Sequence, residues 1–357
     1  MTQHPNVHTA FQSWSDDQRL HVAAVYSNPL RYRVRREMMQ DFRQHMALSK
    51  NVVLHVGEVA FGDRPFEVTA ADNPLDLQLR STCELWLKEN VTNLLVQRFP
   101  VGWKYGAQVD ADLHFTRPDW ALEAIHQLQH HPWVQLFSSF SALGPQHVPV
   151  RLLPGFAYSY LHYRPATSWK ASPKAAPRSV GAQAASISTS DTKASPKSAS
   201  WPDNPGAPGG GWAFTATGLN ATGGYLESCI LGSADTHMAF GLAGEPDHSI
   251  ELRQCSDGYI ASVKRWQEKA SRLNGDIGVV ENHAVHYFHG SYQRRGYGDR
   301  WQILRDNGFD PLVDIQHDSQ GLIILSGNKP RLRNDIRAYF RSRNEDIGAL
   351  EGESHLV

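Results

Sequence analysis

Cysteine, surplus basic charge and long apolar runs are all scarce in this sequence of 357 residues. The three cysteines, Cys83, Cys229 and Cys255, are odd in number and far apart, which does not fit a disulfide framework or a cysteine zinc site. Lys and Arg total 35 against 36 for Asp and Glu, so the basic surplus of proteins that wrap nucleic acid is missing. No apolar run approaches the ~20 residues of a membrane span, and residues 1–5 lack the basic start of a secretion signal. We therefore expect a cytoplasmic protein with no membrane span.

One long segment has too few apolar residues to contribute to a core. Residues 165–208 consist mostly of Ser, Ala, Pro, Lys and Thr, a composition that cannot offset the entropy lost on ordering. We predict a disordered, mildly basic insertion there. It separates a first part of the chain, 1–164, from a second part, 209–320, which is followed by a C-terminal helical extension, 321–357.

Strands and helices alternate in the first part of the chain. Short apolar runs at about 22–26, 52–56 and 105–109 predict strands, and helices are predicted over about 32–46 and 85–99. This order is typical of an α/β fold with a mainly parallel, doubly wound sheet and helices on both faces. The Gly-rich phosphate loops of P-loop and Rossmann proteins are missing. Ligands bind doubly wound sheets at the carboxyl ends of the strands, so the residues just after each strand are the candidates for a site.

The strongest local signal is a pair of carboxylates that follows the predicted strand at 105–109. Asp110 and Asp112 come directly after this apolar run. Two carboxylates at a strand end can share one hard divalent cation, and Mg²⁺ and Mn²⁺ prefer such oxygen ligands. A solvated turn explains an Asp-x-Asp pair as well, but the position after a buried strand favours a cation site.

Three histidines near the end of a later predicted strand are further candidate ligands. On a regular strand, His283 and His289 point to one face and His286 points to the other, so the three cannot bind one ion together. His289 is best placed to meet a cation held by Asp112. Imidazole accepts Mn²⁺ more readily than Mg²⁺. The expected metal ligands are therefore Asp110, Asp112 and His289.

A glycine pair and a later aspartate form a third feature. Gly223 and Gly224 permit a tight turn or a close approach to a ligand. Asp235 follows at the predicted start of a helix, where it serves either as an N-cap or as a catalytic base. The sequence leaves both alternatives open.

In this order, the motifs resemble those of nucleotide-sugar-dependent glycosyltransferases of the GT-A fold, of the family 2 type, with similarity to the β-1,4-galactosyltransferase pattern. The resemblance covers about residues 20–315 without the insertion. A Trp-x-Lys-Glu-Asn stretch begins at Trp86 and a His-Gly-Ser-x-x-Arg-Arg stretch begins at His289. Both are similar to stretches of viral and phage glycosyltransferases, for which the location implied is the host cytoplasm.

The resemblance implies roles for the matching residues. Residues 1–164 would form the nucleotide-sugar-binding half of the domain, and 209–320 the acceptor and catalytic half. The implied donor contacts are Asn28, Arg31, Lys88, Asn93 and Asp110. Glu58, at the end of the second predicted strand, is a further candidate for contact with the nucleobase or ribose, and a capped or solvated turn explains it as well. The implied acceptor contacts are Gly223 and Gly224, with Asp235 as the catalytic base. Trp212 is a further candidate, because aromatic faces stack on sugar rings, and a core position explains it as well. The sequence departs from the family where Ser233-Ala234-Asp235 replaces a common Glu-Asp pair.

The sequence thus predicts a metal-dependent glycosyltransferase that uses Mn²⁺ or Mg²⁺ and a nucleoside diphosphate sugar. The resemblance also implies inversion at the anomeric carbon. Arg294 and Arg295 are candidates for covering the diphosphate, and the acceptor is a glycan, a protein or a modified nucleobase. No obligate protein partner is implied. The alternatives are a nucleotidyltransferase, whose usual early Gly-rich loop with a lysine is missing, and a non-enzymatic carbohydrate-binding protein with a structural acidic pair.

Overall fold

The structure is a computed structural model that describes residues 17–163, 205–250, 255–327 and 329–346. Its strands are β1 (Leu20–Ser27), β2 (Val52–Phe61), β3 (Asp76–Ser81), β4 (Tyr105–Val109), β5 (Leu113–Phe115), β6 (Trp133–Gln135), β7 (Ser139–Leu143), β8 (Pro149–Pro154), β9 (Gly211–Thr215), β10 (Ile277–Val279), β11 (His283–His286), β12 (Ile315–His317) and β13 (Ile323–Leu325). Its helices are α1 (Arg33–Leu48), α2 (Lys88–Val96), α3 (Trp120–Leu128), α4 (Phe156–Tyr163), α5 (Ala216–Thr222), α6 (Ala234–Leu242), α7 (Asp247–Ile250), α8 (Asp257–Ala270), α9 (Arg300–Asp306), α10 (Pro311–Asp314) and α11 (Pro330–Ser342).

A seven-stranded sheet forms the centre of the described part, in the order β10-β6-β9-β4-β1-β2-β3. Strands β4, β1, β2 and β3 run parallel to one another. Strand β9 runs antiparallel to both β4 and β6, and β10 pairs with β6 in parallel. All strands of this sheet except β9 therefore point the same way, and their carboxyl ends lie along one edge.

Helices cover both faces of the central sheet, as the alternation of side chains in β1 makes plain. Leu20 and Val22 contribute to one buried cluster together with the apolar face of α1, whereas Ala23 belongs to a second cluster that includes residues of α2, α6 and α8. A strand buried on both faces is what a doubly wound α/β sheet requires. The predicted α/β class and mainly parallel sheet are confirmed.

A second sheet has four strands in the order β5-β11-β7-β8, and all four follow β4 in the sequence. Strand β11 pairs antiparallel with β5 and parallel with β7. Two short strands, β12 and β13, form a separate antiparallel pair. The sequence patterns did not predict β5, β7 or β8, because strands of three to six residues carry little periodicity of their own.

Two predicted segments lie partly within the described residues. Most of the predicted insertion lies outside them, but at its end Ala207 forms a β-bridge with Gly155 and accepts a hydrogen bond from Phe156 N. The predicted C-terminal extension contains α11, and Leu332 and Ile336 of this helix are buried in the second core cluster. Among the described residues, no helix combines the length and apolar character needed to cross a membrane.

A buried histidine pair lies at the start of β1 and β2. His21 Nδ1 and His55 Nε2 are 3.0 Å apart, and both residues are almost fully buried. Burial lowers the pKa of His55 to about 4, and the nearby His21, Arg98 and Arg19 act in the same direction. The folded chain therefore resists protonation of His55, while the unfolded chain protonates it near pH 6.5.

We expect acid to destabilise the fold through this pair. Because the folded pKa lies below the unfolded pKa, the stabilisation is complete above about pH 6.5 and is lost as the pH falls towards about 4. The loss between pH 7 and pH 5 is expected to be on the order of 1–2 kcal/mol. Urea unfolding at a series of pH values measures it. His55→Phe should flatten the pH dependence, whereas His126→Gln, a change at an exposed imidazole, should not. Equal pH dependence in all three proteins would contradict this account.

Candidate functional site

A carboxylate and two imidazoles meet where β4 gives way to β5. Asp112 lies between these strands, and the antiparallel pairing of β11 with β5 places His286 opposite Leu113. Tyr287 N donates a hydrogen bond to the backbone oxygen of Asp112, at 2.9 Å, which fixes the register at this point. The chain then turns, and the imidazole of His289 contacts the same carboxylate.

The three side chains are arranged as ligands of one ion. Nε2 of His289 lies 2.8 Å and Nε2 of His286 lies 3.4 Å from Oδ2 of Asp112. One ligand atom of each residue lies within 4.8 Å of the others, which makes this the candidate metal group of the described residues. Oδ1 of Asp112 is buried without a hydrogen-bond partner there, although buried polar atoms normally have one. The carboxylate with its free oxygen and the two imidazoles therefore fit an ion that all three residues would share.

The electrostatics of Asp112 favour cation binding. Burial acts to raise the pKa of this carboxyl, but the neighbouring His286 and His289 outweigh it and hold the pKa well below the usual range. Burial also lowers the pKa of His286, against the pull of Asp112. The carboxyl is thus ionised and His286 is neutral near pH 7, which are the forms that bind metals.

Two expectations about the ligands are corrected. His286 was expected to point away, but β11 ends at His286, so the strict alternation of a strand does not extend to His289. His283 instead lies 2.8 Å from Ser139 Oγ through its Nδ1. Asp110 was expected to bind the metal, but it is outside the group formed by Asp112 and the two histidines. A carboxylate with two imidazoles favours Mn²⁺ over Mg²⁺ more strongly than a pair of carboxylates does.

Asp110 is held by a lysine and a glutamine instead. Lys88 Nζ lies 3.1 Å from Oδ1 of Asp110, and Gln108 Nε2 donates to the same oxygen at 2.8 Å. Burial raises the pKa of Asp110 despite the opposing charge of Lys88. Burial acts to lower the pKa of Lys88, but Asp110, Glu89 and Asp235 outweigh it and raise that pKa. The two predicted donor contacts Lys88 and Asp110 are therefore brought together as a half-buried ion pair beside the metal group.

A small cavity next to this ion pair is lined by Lys88, Glu89, Trp212 and Asp235. A β-carbon at Gly209 would collide with Oδ2 of Asp235, so the glycine lets the backbone approach this carboxylate closely. Trp212 is buried, and its indole donates to Pro208 O at 2.8 Å. The structure thus places the predicted base and one predicted acceptor contact in the same cavity as Lys88.

Asp235 is not the N-cap of its helix. Helix α6 begins at Ala234 with Ser233 in the cap position, and Oδ1 of Asp235 accepts a hydrogen bond from Thr236 N at 2.9 Å. The N-cap alternative is therefore wrong. The carboxylate of Asp235 faces the cavity with its other oxygen adjacent to Gly209.

Glu89 is a second acid in this cavity that the sequence analysis did not single out. Its side chain is almost fully buried. Burial raises its pKa to about 7, and Asp235 adds to the effect, whereas Lys88 opposes it. A carboxyl with a pKa near 7 is suited to proton transfer, so Glu89 is an alternative acid or base. A glutamate in a helix carries no sequence signal of burial, which is why it was missed.

Two predicted donor contacts are engaged in supporting the fold. Glu58 accepts hydrogen bonds from the backbone N–H groups of residues 67–69 and from Thr69 Oγ1, at 2.5 to 3.0 Å. Asn28 bonds to Tyr32 through both N and O of its amide and to Tyr26 OH. These contacts use the polar atoms of both side chains, so the geometry fits a structural role and not the expected contact with a nucleotide.

Other predicted contacts also lie away from the metal group. Arg31 is more than half exposed and lies 3.4 Å from Glu67. Asn93 binds both the N–H and the oxygen of Tyr225. Gly223 is the left-handed C-cap of α5, and Gly224 follows with φ of 92° against Asn93. The glycine pair therefore ends a helix and does not line the cavity.

Two buried guanidinium groups lack a carboxylate partner in the described residues. Arg295 is 3% exposed and lies 3.4 Å from His286 Nε2 through Nη1, and Arg300 is 6% exposed and donates to Ser233 Oγ. Both flank Tyr297, which accepts from Arg295 and lies under the guanidinium of Arg300. Nε of each arginine is buried without a hydrogen-bond partner in this part of the chain. A buried charge without compensation is costly, so each guanidinium group fits a bound anion, and the contact with His286 places that of Arg295 beside the metal group.

Neither a protein-family model nor a curated protein matches this chain. Function therefore has to be inferred from the geometry of this chain's own residues. It comprises the Asp112, His286 and His289 group, the Lys88–Asp110 pair and the cavity at Asp235. The group and the pair follow the carboxyl end of β4, where sheets of this type bind ligands.

We expect His286 to be required for metal binding and His283 not to be. His286→Gln should weaken Mn²⁺ binding by at least about tenfold, because even the mutation of a residue that only hydrogen-bonds to a metal ligand weakens binding that much. His283→Gln changes a neighbouring imidazole of the same strand and should leave the affinity unchanged. Titration with Mn²⁺, following the free ion by electron paramagnetic resonance, measures both. Equal affinities in the two variants would remove His286 from the site.

Proposed function

We propose that this protein is a metal-dependent glycosyltransferase with a GT-A-like fold, which transfers a sugar from a nucleoside diphosphate sugar to an acceptor hydroxyl with inversion. The observation that carries the proposal is the Asp112, His286 and His289 group with Arg295 beside it. A cation and a buried guanidinium at one site are suited to a diphosphate, which both can bind. The mainly parallel, doubly wound sheet is consistent with the fold that the motifs resemble.

The side chains around the site divide into those that hold the donor and those that act on the acceptor. Asp112, His286 and His289 would hold Mn²⁺, which when bound supplies positive charge to the leaving diphosphate. Arg295, beside His286, would pair with the remaining negative charge. Lys88 is neutralised by Asp110, so it orients that carboxylate and contributes no free charge to the donor.

Asp235 is the proposed base for the acceptor hydroxyl. It is half-buried and lines a cavity with Trp212. Its negative charge contributes to raising the pKa of Lys88. The cavity, about 10 Å³ in volume, has room for about one water molecule, so a sugar would reach the Asp235 carboxylate only through a hydroxyl group. Asp235 would take the proton of that hydroxyl, and the resulting oxygen would attack the anomeric carbon from the side opposite the leaving group.

The pairing of Asp110 argues against the nucleotidyltransferase alternative. A site that binds metals through two carboxylates needs both of them free, whereas Lys88 and Gln108 hold Asp110. A carbohydrate-binding protein without turnover has no need of a buried arginine without a carboxylate partner at a metal group. That alternative is decided by the experiment below.

The test is a donor screen with the full chain. A panel of nucleoside diphosphate sugars is incubated with Mn²⁺, and the release of free nucleoside diphosphate is measured with and without a panel of glycan, protein and modified-DNA acceptors. We expect release with one class of donor and its loss when the metal is chelated. Glycan binding without release from any donor would favour the binding protein.

We expect Asp235→Asn to separate catalysis from donor binding. Transfer should fall by roughly 10²–10⁴-fold, the usual contribution of a positioned base, while donor affinity by calorimetry stays the same. Glu89→Gln is the matched control in the same cavity, and it should keep most of the activity. The reverse pattern would assign the base to Glu89, and normal turnover in both variants would exclude a base in this cavity.

A further inference from the structure

The residues that follow α11 return to the candidate metal group from the far end of the chain. Asp346 accepts hydrogen bonds from Arg33 N and Val34 N at the start of α1, each at 3.0 Å. Asn344 N donates to Tyr32 OH at 3.1 Å. Residues 343–346, which we term the C-terminal clamp, are thus fixed to the beginning of α1.

The clamp carries a carboxylate into the neighbourhood of His289. The side chain of Glu345 is fully buried, and its Oε2 lies 3.6 Å from Nδ1 of His289. Nε2 on the other side of the same imidazole lies 2.8 Å from Asp112. The ring of His289 therefore stands between two carboxylates, with one nitrogen towards the candidate metal and one towards the clamp.

Two arginines fix the position of the Glu345 carboxylate. Arg35 contacts both oxygens, at 2.5 and 2.7 Å, and Arg343 Nε donates to Oε1 at 2.5 Å. Arg35 also donates to Ser27 O, at 2.7 Å, at the carboxyl end of β1. A carboxylate held in this way cannot turn away from His289 without breaking several charge-assisted hydrogen bonds.

The backbone next to His289 is shaped for this approach. Gly290 has φ of 88°, and a β-carbon there would lie 3.2 Å from Arg343 O and 3.3 Å from the α-carbon of Glu345. Glycine therefore serves both the turn and the close contact with the clamp.

We propose that Glu345 is a positioning residue that orients His289 for metal binding from the C-terminal clamp. The inference rests on the metal site of the proposed function. When Nε2 binds a cation, the proton of the imidazole is on Nδ1 and needs an acceptor. Glu345 supplies that acceptor once the ring turns towards it from the 3.6 Å separation. A carboxylate behind a metal-bound histidine fixes the ring and makes it a stronger ligand.

The test compares Mn²⁺ affinity in the full chain carrying Glu345→Gln, Glu345→Asp or Tyr32→Phe. Glu345→Gln removes the charge and should weaken Mn²⁺ binding by about 10–100-fold. Glu345→Asp keeps the charge for the arginines but withdraws it from His289, and it should weaken binding in the same direction. Tyr32→Phe loosens the clamp without touching Glu345, so its affinity should equal that of the wild type. Thermal unfolding reports the stability of each variant.

The outcomes separate this inference from the proposed function. Wild-type affinity in both folded Glu345 variants would overturn the positioning role while the metal site stands. A loss in Tyr32→Phe as large as that in Glu345→Gln would also overturn it, because clamp order and not the carboxylate would then control binding. If the wild type binds no Mn²⁺, the metal site itself fails. Where Glu345→Gln does not fold, Glu345→Asp decides the matter.

Discussion

Charges buried near the carboxyl end of β4 have to be compensated where they lie, and this constraint shapes the site. Asp110 is paired with Lys88, and Asp112 faces two imidazoles. Glu345 is enclosed by Arg35 and Arg343, which outweigh its burial and hold its pKa well below the usual range. Since removing one partner of a buried pair is far more costly than the pair is stabilising, these contacts fix geometry more than they add stability.

The local parts of this arrangement could be predicted from the sequence. The strand Tyr105–Val109 appears with the predicted limits, because an apolar run before Asp110 is a local pattern. Asp112 and His289 were predicted as ligands and meet in the structure. Position after a strand was the informative signal in the case of Asp112.

Contacts between distant segments could not be predicted. His286 joins the group because β11 pairs with β5 and ends there, and strand pairing over about 170 residues leaves no mark on either segment. Glu58 looked like a residue at a strand end, but its role depends on the backbone of residues 67–69 folding over it. Glu345 lies beyond the region of family resemblance, and only its contacts with Arg35 and His289 relate it to the site.

A buried guanidinium group without a carboxylate partner indicates the charge of the ligand. Arg295 is buried without a carboxylate partner in the described residues, and it contacts His286 of a group of three side chains suited to a cation. A neutral glycan would leave this guanidinium group unpaired. A diphosphate can pair with both the guanidinium group and the cation, because its several oxygens carry more than one negative charge. The charge balance of the site therefore favours an anionic ligand of the diphosphate type over a free carbohydrate, and it does so independently of the motifs in the sequence.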